Sequence, residues 1–326
     1  MTAAVLDPSL PVVRRLLDRL LPVGFWPDAA APGTTGWDGI PFATAVATTE
    51  HVTGVLPLLD LFPNDRHPTV TAVRDGALPA ALALFTPNAA LAMPVPAIQA
   101  RRSNGDVLLD GRCRYHHQAT AVSLVAVGVD GGLRLCLVRH DGDGVRVGAI
   151  EDPTEAGWIE LTAAPIDTDL VSGPVSWEDE ALTRVVDGYA SAYVTLASRH
   201  ATAVIAGLRR ALAGAEAADT VLSSSQLLAH ELTRLDIELS LLSTAADRLE
   251  SSRDGSTPGD VPVVAALAAA TDLAYRTAQV ASDFATQFGL PTTAPWSTAT
   301  LQGHFGGRRM VEGELARRMG LLAGRA

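Results

Sequence analysis

The chain's only adjacent imidazoles, His116 and His117, stand in LDGRCRYHHQAT at 109–120. An imidazole changes charge near neutral pH, so it can act as general base, proton shuttle or metal ligand. Asp110-Gly111 predicts a tight turn, and the residues after it a strand. Successive strand side chains point to opposite faces, so the two rings cannot clamp one metal together. His117 then has two readings: a hydrogen-bonded or solvated histidine without a catalytic role, which is favoured, and a general base. Cys113 and Cys136 are the only cysteines. They have no zinc-type spacing and form no disulfide framework, so they read as small core residues in a reducing compartment. DGDGVRVG at 141–148 starts like a calcium loop but lacks the later acidic ligands, and predicts a hairpin. Arg308, Arg309, Arg317 and Arg318 read as a complement to a helix dipole. No phosphate loop, dinucleotide glycine fingerprint, serine elbow or metal motif is present.

The 326 residues are 48% hydrophobic and carry a net charge of −11. That length and apolar fraction support a large core built as two or three modules. The acidic balance excludes a nucleic-acid partner and docking on an anionic membrane surface. The N-terminus has no uninterrupted apolar run of the signal-peptide kind, so a cytoplasmic location is expected. Three zones must position the chemistry. Residues 1–75 read as a short helical region, with Leu10, Val13, Leu17 and Leu20 at helical spacing. Residues 76–175 read as strands separated by SNGD, DGG and DGDG, with Leu133, Leu135 and Leu137 alternating as one buried face would require; an antiparallel barrel or sandwich is expected. Residues 176–326 read as four helices in a bundle, opening at Ser176. Leu228, Leu232, Leu235, Leu239 and Leu242 form a seam with four-three spacing. The fold class predicted is α+β.

From about Gly76 onward the chain resembles the acyl-CoA dehydrogenase family. Four stretches carry the resemblance: RDGALPAALALFTPNAAL, VLLDGRCRYHHQATAVSLVAVGV, SSSQLLAHELTRLDIEL and MVEGELARR. The resemblance implies FAD between the β-domain and the bundle, with a second subunit completing the nucleotide end. It also implies a carboxylate that takes the α-proton of an acyl thioester. Position by position, the flavin-side candidates are Tyr115 in place of a Trp, His117 in place of a hydroxyl residue, and Gln118 in place of an Asn. Gln287 falls in TQFGLP, one of two alignments for the family's Gln-x-x-Gly-Gly turn. Phe85 stands where the family has a flavin-side Thr, and Thr86 where it has a Glu. Ala215 and Ala218 stand where an Arg and a Phe hold the diphosphate, and Asp219 follows them. Gln226 and His230 match. Asp187 matches an acid near the acyl pocket, whereas Ala190 replaces an Arg and Tyr189 occupies an alternative base position. Glu312 takes the usual base position, followed by Arg318. In the other alignment, with LQGHFGG at 301–307 as the turn, Glu312 is only a charge on a solvated helix.

Three functions follow. The first is a subunit of a heteromeric, flavin-dependent α,β-dehydrogenase of acyl thioesters, with weak or absent FAD binding of its own. Its partner would be an FAD-binding subunit of the same family, docked through the bundle. The second is a flavin-free homo-oligomeric enzyme using His117, Tyr189 or Glu312 for a non-redox reaction on an acyl thioester or biosynthetic intermediate. The third is a non-enzymatic scaffold whose bundle binds a partner.

Overall fold

The computed structural model describes residues 10–20, 42–84, 96–103, 106–115, 120–129, 132–148, 157–176, 179–213, 216–217, 220–221, 226–252 and 263–288. Helix α1 (Pro11–Leu20) buries Val13, Leu16, Leu17 and Leu20, an i, i+3, i+4, i+7 stripe. Leu10, expected on that stripe, precedes the helix and is exposed; Leu16 takes its place. Helix α2 (Phe42–Thr49) runs directly into a π-helical turn (Glu50–Val55) and then a 3-10 turn (Leu56–Leu61). The local cause is a run of threonines whose hydroxyls bond the carbonyl four residues back: Thr48 to Thr44, Thr49 to Ala45 and Thr53 to Thr49, each at 2.8 Å. The Leu56 amide then reaches back five residues to the His51 carbonyl. Gly54 lets the turn close against Leu82, whose side chain would meet any Cβ there. Helix α3 (Pro68–Arg74) follows, with Pro68 in its first turn and His67 Nδ1 accepting from the Thr69 amide.

Seven strands form one sheet: β1 (Ala80–Ala83), β2 (Ile98–Ser103), β3 (Asp106–Tyr115), β4 (Val122–Val129), β5 (Gly132–Arg139), β6 (Val145–Gly148) and β7 (Gly157–Ile166). The expected antiparallel barrel is corrected to an open, mixed sheet in the order β1-β4-β2-β3-β7-β6, with β5 on the other edge of β4. Both β1 and β2 run parallel to β4 and share one of its edges, β1 along Val122–Val125 and β2 along Val127 and Gly128. Parallel neighbours need crossovers rather than tight turns, and this breaks the simple meander that would close a barrel.

Two predicted hairpins form, closing at Ser103↔Asp106 and Val129↔Gly132. The third does not: after Gly144 the chain leaves β5 and pairs with β7 instead. Asp110-Gly111 is likewise no reversal. It lies mid-strand opposite a bulge in β7, where Ala163 adopts φ 47° and its amide donates to Asp110 Oδ1 at 2.7 Å. Gly111 itself has φ 139°, and a Cβ there would run into the Ala97 carbonyl.

The sheet is buried on both faces, not one. Leu133, Leu135 and Leu137 join Val122, Leu124 and Ala126 in a core shared with the long helices. Cys136 and Val138 face a second core with Ala81, Val125, Ile159 and Leu161. Three long helices are described: α4 (Glu180–Ala213), α5 (Gln226–Ser252) and α6 (Val263–Phe288), with a short β8 (Glu216–Ala217) and β9 (Thr220–Val221) hairpin between the first two. Helix α4 begins at Glu180 rather than Ser176. It packs against α5, α6 and the π-helical turn. The leucine seam on α5 is buried at Leu228, Leu232, Leu235 and Leu242, with Leu239 half-buried. The fourth predicted bundle helix lies outside the described residues. Among the described residues no helix is long and apolar enough to cross a membrane.

Because Gly111 is both left-handed and sterically sealed, Gly111→Ala is expected to cost about 1–3 kcal/mol. Urea unfolding of the two proteins reads this as a lower midpoint at unchanged slope.

Candidate functional site

Strand β1 pairs with β4 on one side only. Its other edge would leave backbone donors buried without partners, a cost of about 1–3 kcal/mol each. Two side chains of the π-helical turn fill that need. The Ala80 amide donates to His51 Nδ1 at 2.9 Å, and the Leu82 amide donates to Glu50 Oε1 at 2.6 Å. Since Nδ1 accepts, the His51 proton sits on Nε2, which donates to the Val73 carbonyl at 3.0 Å, tying the end of α3 to β1. Both ring nitrogens are satisfied and the ring is fully buried. Burial pushes its pKa down to about 4, against smaller upward pulls from the two backbone bonds, so the ring is neutral.

Glu50 is 1% exposed. Burial raises its carboxyl to about 8, with the Leu82 bond pulling the other way, so at neutral pH it is mostly a carboxylic acid. Its Oε2 is buried with no hydrogen-bond partner among the described residues. The nearby polar group is Tyr189 on α4, 3% exposed. Its phenol is pushed well above the usual range, first by burial, then by the charge of Glu50 and by Tyr193. In this setting Tyr189 is a neutral phenol, not a phenolate base. The arrangement places two neutral ionisable groups where α4 packs on the π-helical turn. π-helical turns recur at functional sites because the extra residue re-aims side chains.

A second, part-buried pair lies on the other face of β4. Ser123 Oγ meets His140 Nε2 at 2.8 Å. Burial lowers His140 to about 4, with the Thr120 carbonyl as an opposing influence. With Ser123 at 0% exposure, this is a closed contact within the sheet. Cys113 and Cys136 are separate buried thiols, both pushed up to about 12 by burial. Among the described residues no three His, Cys, Asp or Glu side chains group as a metal site.

Of the residues singled out in the sequence, only Tyr189 enters the Glu50 cluster. Tyr115 ends β3, opposite Gly157. Gln287 is exposed at the end of α6, away from the cluster. Asp187 is half-buried one turn from Ser191, whose hydroxyl bonds its carbonyl. Phe85, Thr86, His117, Gln118, Ala215, Ala218, Asp219 and Glu312 lie outside the described residues. Glu50 and His51 were missed by sequence reasoning. The available signal was two ionisable residues inside the apolar helical run ATAVATTEHVTGVLPLLDLF.

No protein-family model matches the sequence, and no curated protein matches it by sequence. Solved structures match it by shape. An acyl-CoA dehydrogenase from Geobacillus kaustophilus superposes with TM-score 0.67 at 13% identity, over 95% of this chain and 90% of that one. A glutaryl-CoA dehydrogenase from Mycobacterium smegmatis in complex with FADH2 gives 0.66 at 16%, over 99% and 95%. The ChsE4-ChsE5 complex from Mycobacterium tuberculosis gives 0.65 at 17%, over 99% and 96%. The chain has an acyl-CoA dehydrogenase-like fold. At these identities the likeness defines the architecture, not the chemistry.

That fold implies FAD, whose diphosphate needs cationic or amide donors. Near the end of α4, the Arg209 guanidinium is already engaged by Asp236 of α5. Arg276 of α6 is likewise engaged by Glu238 of α5. These pairs link α4 and α6 to α5. The diphosphate-side positions Ala215, Ala218 and Asp219 lie outside the described residues, and Arg210, in the last turn of α4, is exposed.

The Glu50 cluster makes a pH signature. Between pH 4.5 and 8 the native state keeps a proton on Glu50 that the unfolded chain has lost, so stability falls as pH rises, by about 1.4 kcal/mol per pH unit. Between pH 4 and 6.5 His51 acts in the opposite sense, since only the unfolded chain protonates it. The two slopes offset each other below pH 6.5, and Glu50 dominates from 6.5 to 8. Glu50→Gln keeps the acceptor for Leu82 without the titration. Wild type is expected to lose about 2 kcal/mol across pH 6.5–8 that the variant retains, as read by denaturant unfolding at each pH. His51→Ala, which strands the Ala80 amide and the Val73 carbonyl, is expected to cost about 3 kcal/mol or more at pH 7.

Proposed function

We propose that this chain is the flavin-poor subunit of a heteromeric, flavin-dependent α,β-dehydrogenase of acyl thioesters, acting in the cytoplasm. In this reading residues 1–75, 76–175 and 176–326 form helical, β and bundle domains, and an FAD-binding subunit of the same fold docks on the bundle. The observation that carries it is the engagement of Arg209 by Asp236, next to a sequence in which Ala215, Ala218 and Asp219 stand where the family grips the diphosphate. The chain keeps the architecture while Arg209 and Arg276 pair with acids of α5. The ChsE4-ChsE5 match supports it, as that structure is itself a two-component complex of this shape. A docking face is also available: Ile237 and Leu241 sit one turn apart on α5, 58% and 68% exposed.

A second reading rests on Glu50 and Tyr189. Two neutral, buried acids in contact with the helical layer suit proton transfer without redox chemistry, on an acyl thioester or a biosynthetic intermediate. His117 and Glu312 are its other candidate groups.

The visible spectrum separates the two. The chain purified alone is expected to be colourless. Co-expressed with its FAD-binding partner, it is expected to elute as a yellow complex that oxidises an acyl-CoA. A yellow, stoichiometrically flavinylated chain that turns over alone overturns the first reading. Colourless protein that converts a thioester, and loses that activity in Tyr189→Phe, establishes the second. Leu241→Asp, exposed and so neutral to folding, is expected to abolish co-elution with the partner in gel filtration.

A further inference from the structure

We infer that a cleft on the β-sheet, remote from the Glu50 cluster, binds the phosphate monoester of a small molecule with an apolar body. The cleft has a volume of about 400 Å³ and lies where the β2–β3 and β4–β5 hairpins meet the segment after β7. That size suits a small ligand. Its floor is Ala100, Val107, Val129 and Val171, the partly buried margin of the second core. Its charged lining is basic: Arg102, on the same face of β2 as Ala100, and Arg134 border it, Arg101 lines it from the strand position between Ala100 and Arg102 with its side chain toward the other face, and no acidic residue is among the described lining.

The three guanidiniums are not equivalent. Arg101 Nε is bonded to Asp110 Oδ2 at 2.9 Å, which compensates much of its charge. Arg102 has no acidic partner among the described residues. Arg134 is half-buried and fixed by one bond, Nη1 to the Ser172 carbonyl at 2.7 Å. Ser172 is itself anchored. It is 1% exposed, its Oγ accepts from the Leu135 amide at 2.8 Å, and its own amide donates to the Leu135 carbonyl at 2.8 Å. A buried serine thus holds Arg134 in place with most of its donor fork unassigned. Pre-positioning of this kind lowers the ordering cost of binding. Two uncompensated guanidiniums match the charge of a phosphate monoester, about −1.5 to −2 at neutral pH, better than that of a monocarboxylate. The valine and alanine floor then takes the apolar body. This charge separation is unusual on a chain of net charge −11, whose bundle arginines Arg209 and Arg276 are consumed by helix–helix pairs.

The probe is phenyl phosphate, followed by ligand-observed NMR and calorimetry on the full chain, with phenol and benzoate as controls. Phenyl phosphate is expected to bind at least tenfold more tightly than either control, and to weaken as salt rises from 50 to 200 mM. Arg102→Ala is expected to reduce affinity at least tenfold without changing the unfolding midpoint. Arg134→Lys keeps the charge but not the fork, and is expected to reduce affinity by a smaller factor. Equal binding of phenol, absence of binding, or affinity unchanged in Arg102→Ala overturns the proposal. None of these outcomes bears on the flavin reading, which rests on Arg209 and Asp236 of the long helices.

Discussion

The structure turns on the free edge of β1. A four-residue strand of Ala-Ala-Leu-Ala has little side-chain area of its own to bury, and it pairs with only one neighbour. What fixes it is a pair of side chains, not another strand. His51 and Glu50 bond the Ala80 and Leu82 amides, and His51 also reaches the Val73 carbonyl. These groups come from three elements. Their bonds couple the helical N-terminal segments to the sheet, and the π-helical turn that carries them is packed on α4. A regular α-helix would rotate residues after 50 by a fraction of a turn and could not present both side chains to alternate amides of one strand. The threonine back-bonds at Thr48, Thr49 and Thr53 and the presence of Gly54 are the local conditions for the wider turn.

The arrangement has an electrostatic consequence. Edge capping could have been done by Asn or Gln without any titration. Glutamate does it only by staying protonated, since a buried charge beside Tyr189 has no cation to pair with among the described residues. The cluster therefore stores a neutral acid whose second oxygen is unpartnered, at the contact between the sheet, the π-helical turn and the long helices. A purely structural cap leaves no such remainder, and this distinguishes Glu50 from His51, whose two nitrogens are both used.

Local and periodic features were legible in the sequence. The α1 stripe, the two short hairpins and the leucine seam of α5 each depend on neighbours within one or two turns, so spacing reveals them. Non-local choices were not legible. Asp110-Gly111 has the composition of a reversal, yet the same side-chain acceptor and the same left-handed tolerance serve a bulge once β7 lies opposite. The DGDG segment leads into a strand that pairs with β7 rather than β5, and nothing within the turn specifies the partner. The caps on β1 link residues 29 and 32 positions apart, so no window of ordinary size includes both ends. Candidate site residues drawn from family resemblance lie mostly outside the described residues. Of the others, Gln287 faces solvent and Tyr189 is buried in company that resemblance did not suggest.

The separation between architecture and cofactor grip follows from these energetics. The large core joins β4 and β5 to α4, α5 and α6 through leucine, valine, alanine and tyrosine. The polar ties that fix orientation, from His51, Glu50, Ser172 and Asp110, are all internal to the chain. Within this network Glu50 Oε2 is the buried atom left without a partner among the described residues. Replacing diphosphate-binding residues at a helix end removes interactions with a ligand without creating a cavity in either core. Arg209 of α4 pairs with Asp236 of α5. A fold whose core is internal in this way does not depend on a bound cofactor for its packing.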